Sequence, residues 1–90
     1  MKIYRIANSE QLKVAAQYMK TPNLIRKVQD VAAVWSAMAR KHPERPAPIT
    51  VTMELGRSAV LFKECNGERE PLGPMYVIGA REFAKELQEA

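Results

Sequence analysis

Three prolines fall within six residues in the segment His42-Pro43-Glu44-Arg45-Pro46-Ala47-Pro48. Proline has no backbone N–H and disfavours the helical conformation in the residue before it, so no helix can continue through this segment. Before the segment, apolar residues recur at helical spacing, and after it they alternate with polar residues. The segment therefore predicts a helical first half joined to a strand-rich second half.

The size and composition of the chain predict one small domain, residues 1–90, because 47% of its residues are hydrophobic, a proportion ordinary for a globular protein. The lone cysteine, Cys65, cannot form an internal disulfide, which fits a reducing compartment. No apolar run approaches the roughly 18 residues of a membrane span, and the charged first six residues do not read as a signal peptide. We therefore expect a cytoplasmic protein of bacterial or phage type that does not bind membranes.

The first half predicts a strand over residues 2–7 and two helices, over about 8–20 and 22–41. Asn8 with Gln11 resembles a capping box, and Thr21 followed by proline is a second helix start, because such caps satisfy unpaired N–H groups. The second helix carries an apolar stripe along one side, formed by Leu24, Val28, Val31, Trp35 and Met38. This stripe indicates a core-facing helix, although it could also form a dimer seam.

The second half opens with the clearest strand in the chain, since apolar and polar residues alternate over 49–55. Gly56 and the residue after it suit a type II′ hairpin turn that leads into a second strand, about 58–65. Asn66-Gly67 is the strongest hairpin signal. Beyond it, the sequence predicts a charged return segment interrupted by two prolines.

An apolar run over 75–78 predicts the last strand, and residues 80–88 predict a closing helix. The order is then strand, two helices, three or four strands and a helix. We predict the α+β class, with a small antiparallel sheet of three or four strands packed by an N-terminal helical pair and a C-terminal helix.

Catalytic and metal-binding groups are sparse. Cys65 and His42 are the only cysteine and the only histidine, and nothing in the sequence supplies a third group to orient them. One histidine and one cysteine cannot complete a four-ligand zinc site without carboxylates or a second chain. The four glycines stand singly, so no loop can wrap a phosphate. The sequence therefore predicts no catalytic residue, no metal and no cofactor, and it favours a non-enzymatic role.

Positive charge is concentrated in the first half of the chain. Residues 1–45 contain nine Lys/Arg and three Asp/Glu, a net +6, and residues 46–90 contain five Lys/Arg and seven Glu, a net −2, which sum to +4. Such charge can neutralise phosphates, or it can simply solvate helix faces. The candidate nucleic-acid-binding residues are Lys13, Lys20, Arg26, Lys27, Arg40, Lys41 and Arg45.

The element order, a short strand, two helices and a three-stranded meander in a basic chain, resembles the small toxins of the RelE/ParE type. That resemblance implies binding of an antitoxin peptide and, for some members, cleavage of messenger RNA by Lys, Arg and Tyr side chains. Tyr76, Arg81 and Lys85 are the only residues near the expected place. The proline segment and the acidic second half depart from the basic sheet that such a nuclease uses.

Our leading hypothesis from the sequence is a small interaction protein, a regulator or inhibitor, that binds another macromolecule and most simply a protein. The absence of paired chemical groups and the polarised charge support this hypothesis. A nucleic-acid-binding protein and a RelE/ParE-type ribonuclease are the alternatives, and the sequence also leaves open a homodimer.

Overall fold

A computed structural model describes residues 1–46 and 49–90, so part of the proline segment, 47–48, lies outside the described residues. Strands and helices follow the chain in the order β1 (Lys2–Ile6), α1 (Ser9–Ala16), α2 (Pro22–Lys41), β2 (Thr50–Leu55), β3 (Ala59–Cys65), β4 (Glu68–Met75), α3 (Val77–Ala84) and β5 (Gln88–Glu89).

The strands form one antiparallel sheet in the order β4-β3-β2-β1-β5. The predicted α+β class is confirmed, with a helical pair before the sheet and a helix after it. The described sheet has five strands rather than three or four, because the two-residue strand β5 pairs with Tyr4 and Arg5 of β1. The helical crossover between β1 and β2 places these two strands side by side.

The alternation in β2 decides which face of the sheet is covered. Val51 and Met53 are fully buried, whereas Thr50 is exposed. Because successive strand residues point to opposite faces, the first two mark the core face and the last marks the open one. All three helices contribute to the core on that side, and its largest fully buried side chains are Leu12, Met19, Met53, Leu61, Leu72, Met75, Val28 and Val51.

The charged return segment after Asn66-Gly67 forms β4. Two sequence predictions in the last third of the chain were wrong. Residues 77–78, predicted as strand, begin α3. The helix predicted to reach residue 88 ends at Ala84. Two prolines are accommodated in β4 because it is an edge strand, paired on one side with β3, and proline cannot donate to a second ladder.

Helix α1 ends at Ala16 rather than near Lys20, and α2 is the dominant helix. With 20 residues, α2 is about 30 Å long, close to the 37 Å long dimension of the molecule. No described helix has the length and apolar character of a membrane span.

Candidate functional site

The end of α2 extends beyond the core. The buried residues of this helix are Val28, Ala32 and Trp35, and the helix continues for six residues after Trp35, to Lys41. At eight residues, α1 is only about 12 Å long and cannot cover the whole of α2. An apolar flank of α2 that includes Val34 and Met38 therefore remains at the surface.

This apolar surface, which we call the α2 strip, consists of Val31, Val34, Trp35 and Met38 together with Ile49. Val34 is 64% exposed and Met38 is 38% exposed, although both are large apolar side chains on an otherwise well-packed domain. Trp35 is only 7% exposed and belongs to the core. The strip thus combines a tryptophan that belongs to the core with large apolar side chains that are partly exposed to solvent.

Two grooves meet at Trp35. One has a volume of about 260 Å³ and lies between α2 and Ile49. The other has a volume of about 230 Å³ and lies at the end of α2, between Met38 and the turn that contains Pro43. Ligand pockets usually measure roughly 300–1,000 Å³. Grooves of this size are better suited to individual side chains of a partner than to a whole substrate.

The charged side chains that line the grooves are Lys63 and Asp30 in one and Arg45 in the other. Lys63 also lies 3.8 Å from Glu70, and the Nζ of Lys27 lies 3.8 Å from the other oxygen of the same carboxylate. The two lysines that share Glu70 leave a net charge of +1, which Asp30 in the same groove balances. Exposed ion pairs of this kind contribute little to stability, typically 0–1 kcal/mol.

The structure divides the predicted nucleic-acid-binding residues among several places. Arg26 and Lys27 lie near the start of α2, and Arg40 and Lys41 in its last turn. Fourteen residues separate Arg26 from Arg40, about 21 Å along a helix axis, and Arg45 follows in the turn after α2. The seven cations therefore do not form one continuous patch along this helix.

Three of these cations already have partners, and Lys27 is paired with Glu70 as described above. The Nζ of Lys13 lies 3.5 Å from Glu10 in the same helix. The Nζ of Lys20 lies 5.9 Å from the ring centroid of Tyr76, within range of a cation–π interaction. Tyr76 is 55% exposed. An aromatic ring and a cation therefore face solvent together at this pair.

The residues near the site implied by the toxin resemblance do not all remain free. Arg81 is exposed in α3, and Tyr76 lies just before that helix. Lys85 lies 3.2 Å from Glu82. The exposed basic and aromatic side chains here include Lys20, Tyr76, Arg81 and Lys85, of which Lys85 is paired with a carboxylate.

The only cysteine and histidine occupy different surroundings. His42 lines the groove at the end of α2. Cys65 is the last residue of β3, is half-buried, and does not line that groove. Across residues 1–46 and 49–90, no three His, Cys, Asp or Glu side chains are grouped so as to hold a metal ion.

The open face of the sheet has a polar arrangement that the sequence did not reveal. The Arg69 guanidinium lies 3.8 Å from the ring centroid of Phe62 and also forms an ion pair with Glu54 of β2. These groups come from three neighbouring strands, so only the sheet register brings them together. The Arg69 side chain therefore contacts both the Phe62 ring and the Glu54 carboxylate.

No protein-family model matches the chain, and neither the curated proteins nor the solved structures contain a significant match. The described element order includes the strand, two helices and meander on which the toxin resemblance rests. Since no solved structure matches, element order remains the whole of that resemblance. The α2 strip contains two of the exposed large apolar side chains, Val34 and Met38, and sequence reasoning placed Met38 in a core stripe and did not single out Val34.

Proposed function

We propose that this protein is a non-enzymatic interaction protein that binds another protein through the α2 strip. The observation that carries the proposal is the 64% exposure of Val34 beside the buried Trp35. Contiguous apolar surface on a small monomer marks an interaction site more often than an isolated exposed side chain does.

The rest of the domain supports this assignment because its described interior consists of apolar side chains. Among residues 1–46 and 49–90, no polar or charged residue is buried, and the described buried side chains have no unpaired N or O atom. Catalytic sites commonly need perturbed polar groups in a cleft. The α2 strip offers apolar area and small grooves, which suits recognition of a partner.

The test is site-specific photo-crosslinking in cells of the source organism. A photoreactive amino acid replaces Val34 in one variant and Ala33 in the matched control, since Ala33 is also exposed in α2 but lies about 100° around the helix. We expect a protein adduct from position 34 that survives nuclease treatment and is absent from position 33.

A protein adduct of equal strength at both positions would contradict binding through the strip. The absence of any protein adduct at position 34 would contradict the proposed function itself. An adduct that disappears on nuclease treatment would favour nucleic acid as the partner instead.

Binding of single-stranded nucleic acid is a second candidate function, favoured by the exposed pair of Lys20 and Tyr76. Stacking of a base on an exposed aromatic ring contributes about 1–3 kcal/mol per base, and a neighbouring lysine can neutralise a phosphate. Arg81 of α3 is also exposed. This candidate uses a different surface from the α2 strip.

Fluorescence anisotropy with labelled single-stranded RNA and DNA tests this candidate. We expect Tyr76→Ala and Lys20→Ala to weaken binding, whereas Lys13→Ala, which removes a lysine already paired with Glu10, should have a smaller effect. Affinity should fall with salt by roughly 0.7 log-log units per neutralised phosphate. No binding at low salt, or equal effects of the three variants, would rule the candidate out.

A further inference from the structure

We propose that the α2 strip binds an acidic amphipathic helix of a partner protein, an inference that rests on the proposed function and specifies its partner. The strip follows the axis of α2 from Val31 to Met38, seven residues or about 10 Å, and the groove at the end of the helix extends it toward Pro46. A helix of about three turns matches this length and can place apolar side chains at i, i+3 or i+4, and i+7 along the strip.

The charges around the strip specify the acidic character of the partner. Lys63 and Arg45 lie in the two grooves, one on each side of Trp35, and Asp30 lines one of them. Because Lys63 and Lys27 share Glu70, the positive excess beside the strip comes from Lys41 and Arg45. Lys27 and Lys41 lie on α2 about one turn beyond Val31 and Met38, respectively. Carboxylates flanking the apolar positions of a partner helix would meet these cations, which raises specificity and the rate of association.

The edges of the sheet favour a helical partner over an extended one. An added strand needs a free row of backbone donors and acceptors at an edge. At one edge of the described sheet, β4 contains Pro71 and Pro74, which lack N–H groups, and at the other β5 has only two residues. The apolar surface lies on α2 instead, where helix-on-helix packing is the ordinary mode of contact.

A second copy of this chain fits the strip less well than an acidic helix. The charged residues beside the strip are mostly cations: Lys27, Lys41, Lys63 and Arg45, against Asp30 and Glu70. A symmetric dimer along α2 would bring both sets of cations together, and like charges across an interface disfavour association.

The experiment is a selection from a displayed library of helix-forming peptides of about 18 residues, with the intact protein as bait. Enriched peptides are then synthesised and titrated by fluorescence anisotropy. We expect net negative charge and apolar residues at helical spacing among the enriched peptides. We also expect Val34→Asp to weaken their binding at least about tenfold, and Ala33→Asp, with the same charge change, by less than about twofold.

The double variant Lys63→Glu, Arg45→Glu tests the charge assignment separately and should weaken acidic peptides more than their neutral counterparts. Enrichment of neutral or basic peptides, failure to enrich any peptide, or equal binding by the Val34→Asp and Ala33→Asp variants would overturn the inference. So would a dimer in sedimentation that Val34→Asp dissociates and Ala33→Asp does not, because a second copy would then occupy the strip. A strip-specific protein adduct in cells together with neutral peptides would retain the proposed function and reject only the acidic helix.

Discussion

Gly79, in α3, lies against the ring of Tyr18, so closely that a Cβ atom at this position would overlap the ring. Tyr18 in turn lies beside Phe83, with ring centroids 6.0 Å apart. The contact explains a glycine within a helix, where it otherwise costs about 1 kcal/mol relative to alanine. At this residue, close packing outweighs helix propensity.

Replacing Gly79 with alanine should therefore destabilise the protein, although alanine is the better helix former. We expect the free energy of unfolding to fall by about 1–3 kcal/mol, because the methyl group would displace the Tyr18 ring. Urea denaturation measures the change. Gly56→Ala is the control, since a Cβ there would lie 3.7 Å from Met1, an ordinary contact distance; a Gly79→Ala variant as stable as that control would contradict the packing argument.

Turn residues show which local predictions hold. Asn66 and Gly67 have φ angles of 54° and 83°, so the predicted Asn-Gly hairpin turn is confirmed, with both central residues in the left-handed region that a type I′ turn requires. Gly56 does not have a positive φ, so the predicted type II′ turn was wrong. The Gly56 N–H donates to the Ser58 carbonyl oxygen at 2.9 Å instead.

The start of α2 depends on one capping interaction. The Thr21 hydroxyl accepts a hydrogen bond from the Leu24 N–H at 3.2 Å, and Pro22 occupies the first helical turn. Because this hydroxyl satisfies an N–H that has no partner within the helix, the sequence alone could place the start of the helix.

Removal of the Thr21 cap should destabilise α2 with little effect on the rest of the fold. We expect Thr21→Ala to lower the free energy of unfolding by about 1 kcal/mol, measured by chemical denaturation. Thr21→Ser keeps the hydroxyl and should be nearly neutral. If the serine variant loses as much stability as the alanine variant, the effect comes from the methyl group rather than from the cap.

The two sides of α2 should respond differently to substitution. Trp35→Ala removes a buried side chain, so we expect a loss of about 3–5 kcal/mol. Val34→Asp changes an exposed side chain, so we expect a loss of roughly 0.5 kcal/mol, mainly from helix propensity. Thermal and urea unfolding of both variants check this; a large loss in Val34→Asp would show that the rim of the α2 strip is structural rather than a binding surface.

At the scale of the whole molecule, one core connects the elements. The buried residues form a single cluster to which α1, α2, α3 and strands β1 to β4 all contribute. Trp35 belongs to this cluster and is the sole tryptophan in the chain. Outside this core, Val34 and Met38 of the α2 strip are exposed apolar side chains, and Tyr76 and Ile78 are exposed near the start of α3.

We expect cooperative unfolding, because small domains with one core usually unfold in a single transition. Trp35 fluorescence and far-ultraviolet circular dichroism should give coincident curves in urea. Repeating the titration at a different protein concentration should leave the midpoint unchanged if the chain is a monomer. Separate midpoints for the two signals would show that α2 unfolds apart from the sheet.

Short-range interactions are what the sequence determined by itself: the caps at Asn8 and Thr21, the alternation in β2 and the hairpin at Asn66. Each involves residues within a few positions of one another, so its signal is visible in the chain. The proline segment likewise separated α2 from the sheet. The α+β class followed from adding these local signals together.

Tertiary structure decided what residues 75–79 became and which part of α2 stayed exposed. An apolar run this short is compatible with either a strand or a helix. The Tyr76 N–H donates to the Tyr18 carbonyl oxygen at 2.8 Å, and Gly79 lies against the Tyr18 ring. The predicted α2 stripe meets the core as far as Trp35, and only its last member, Met38, is exposed. Burial depends on which elements meet in space, and contacts between distant residues leave the end of α2 at the surface.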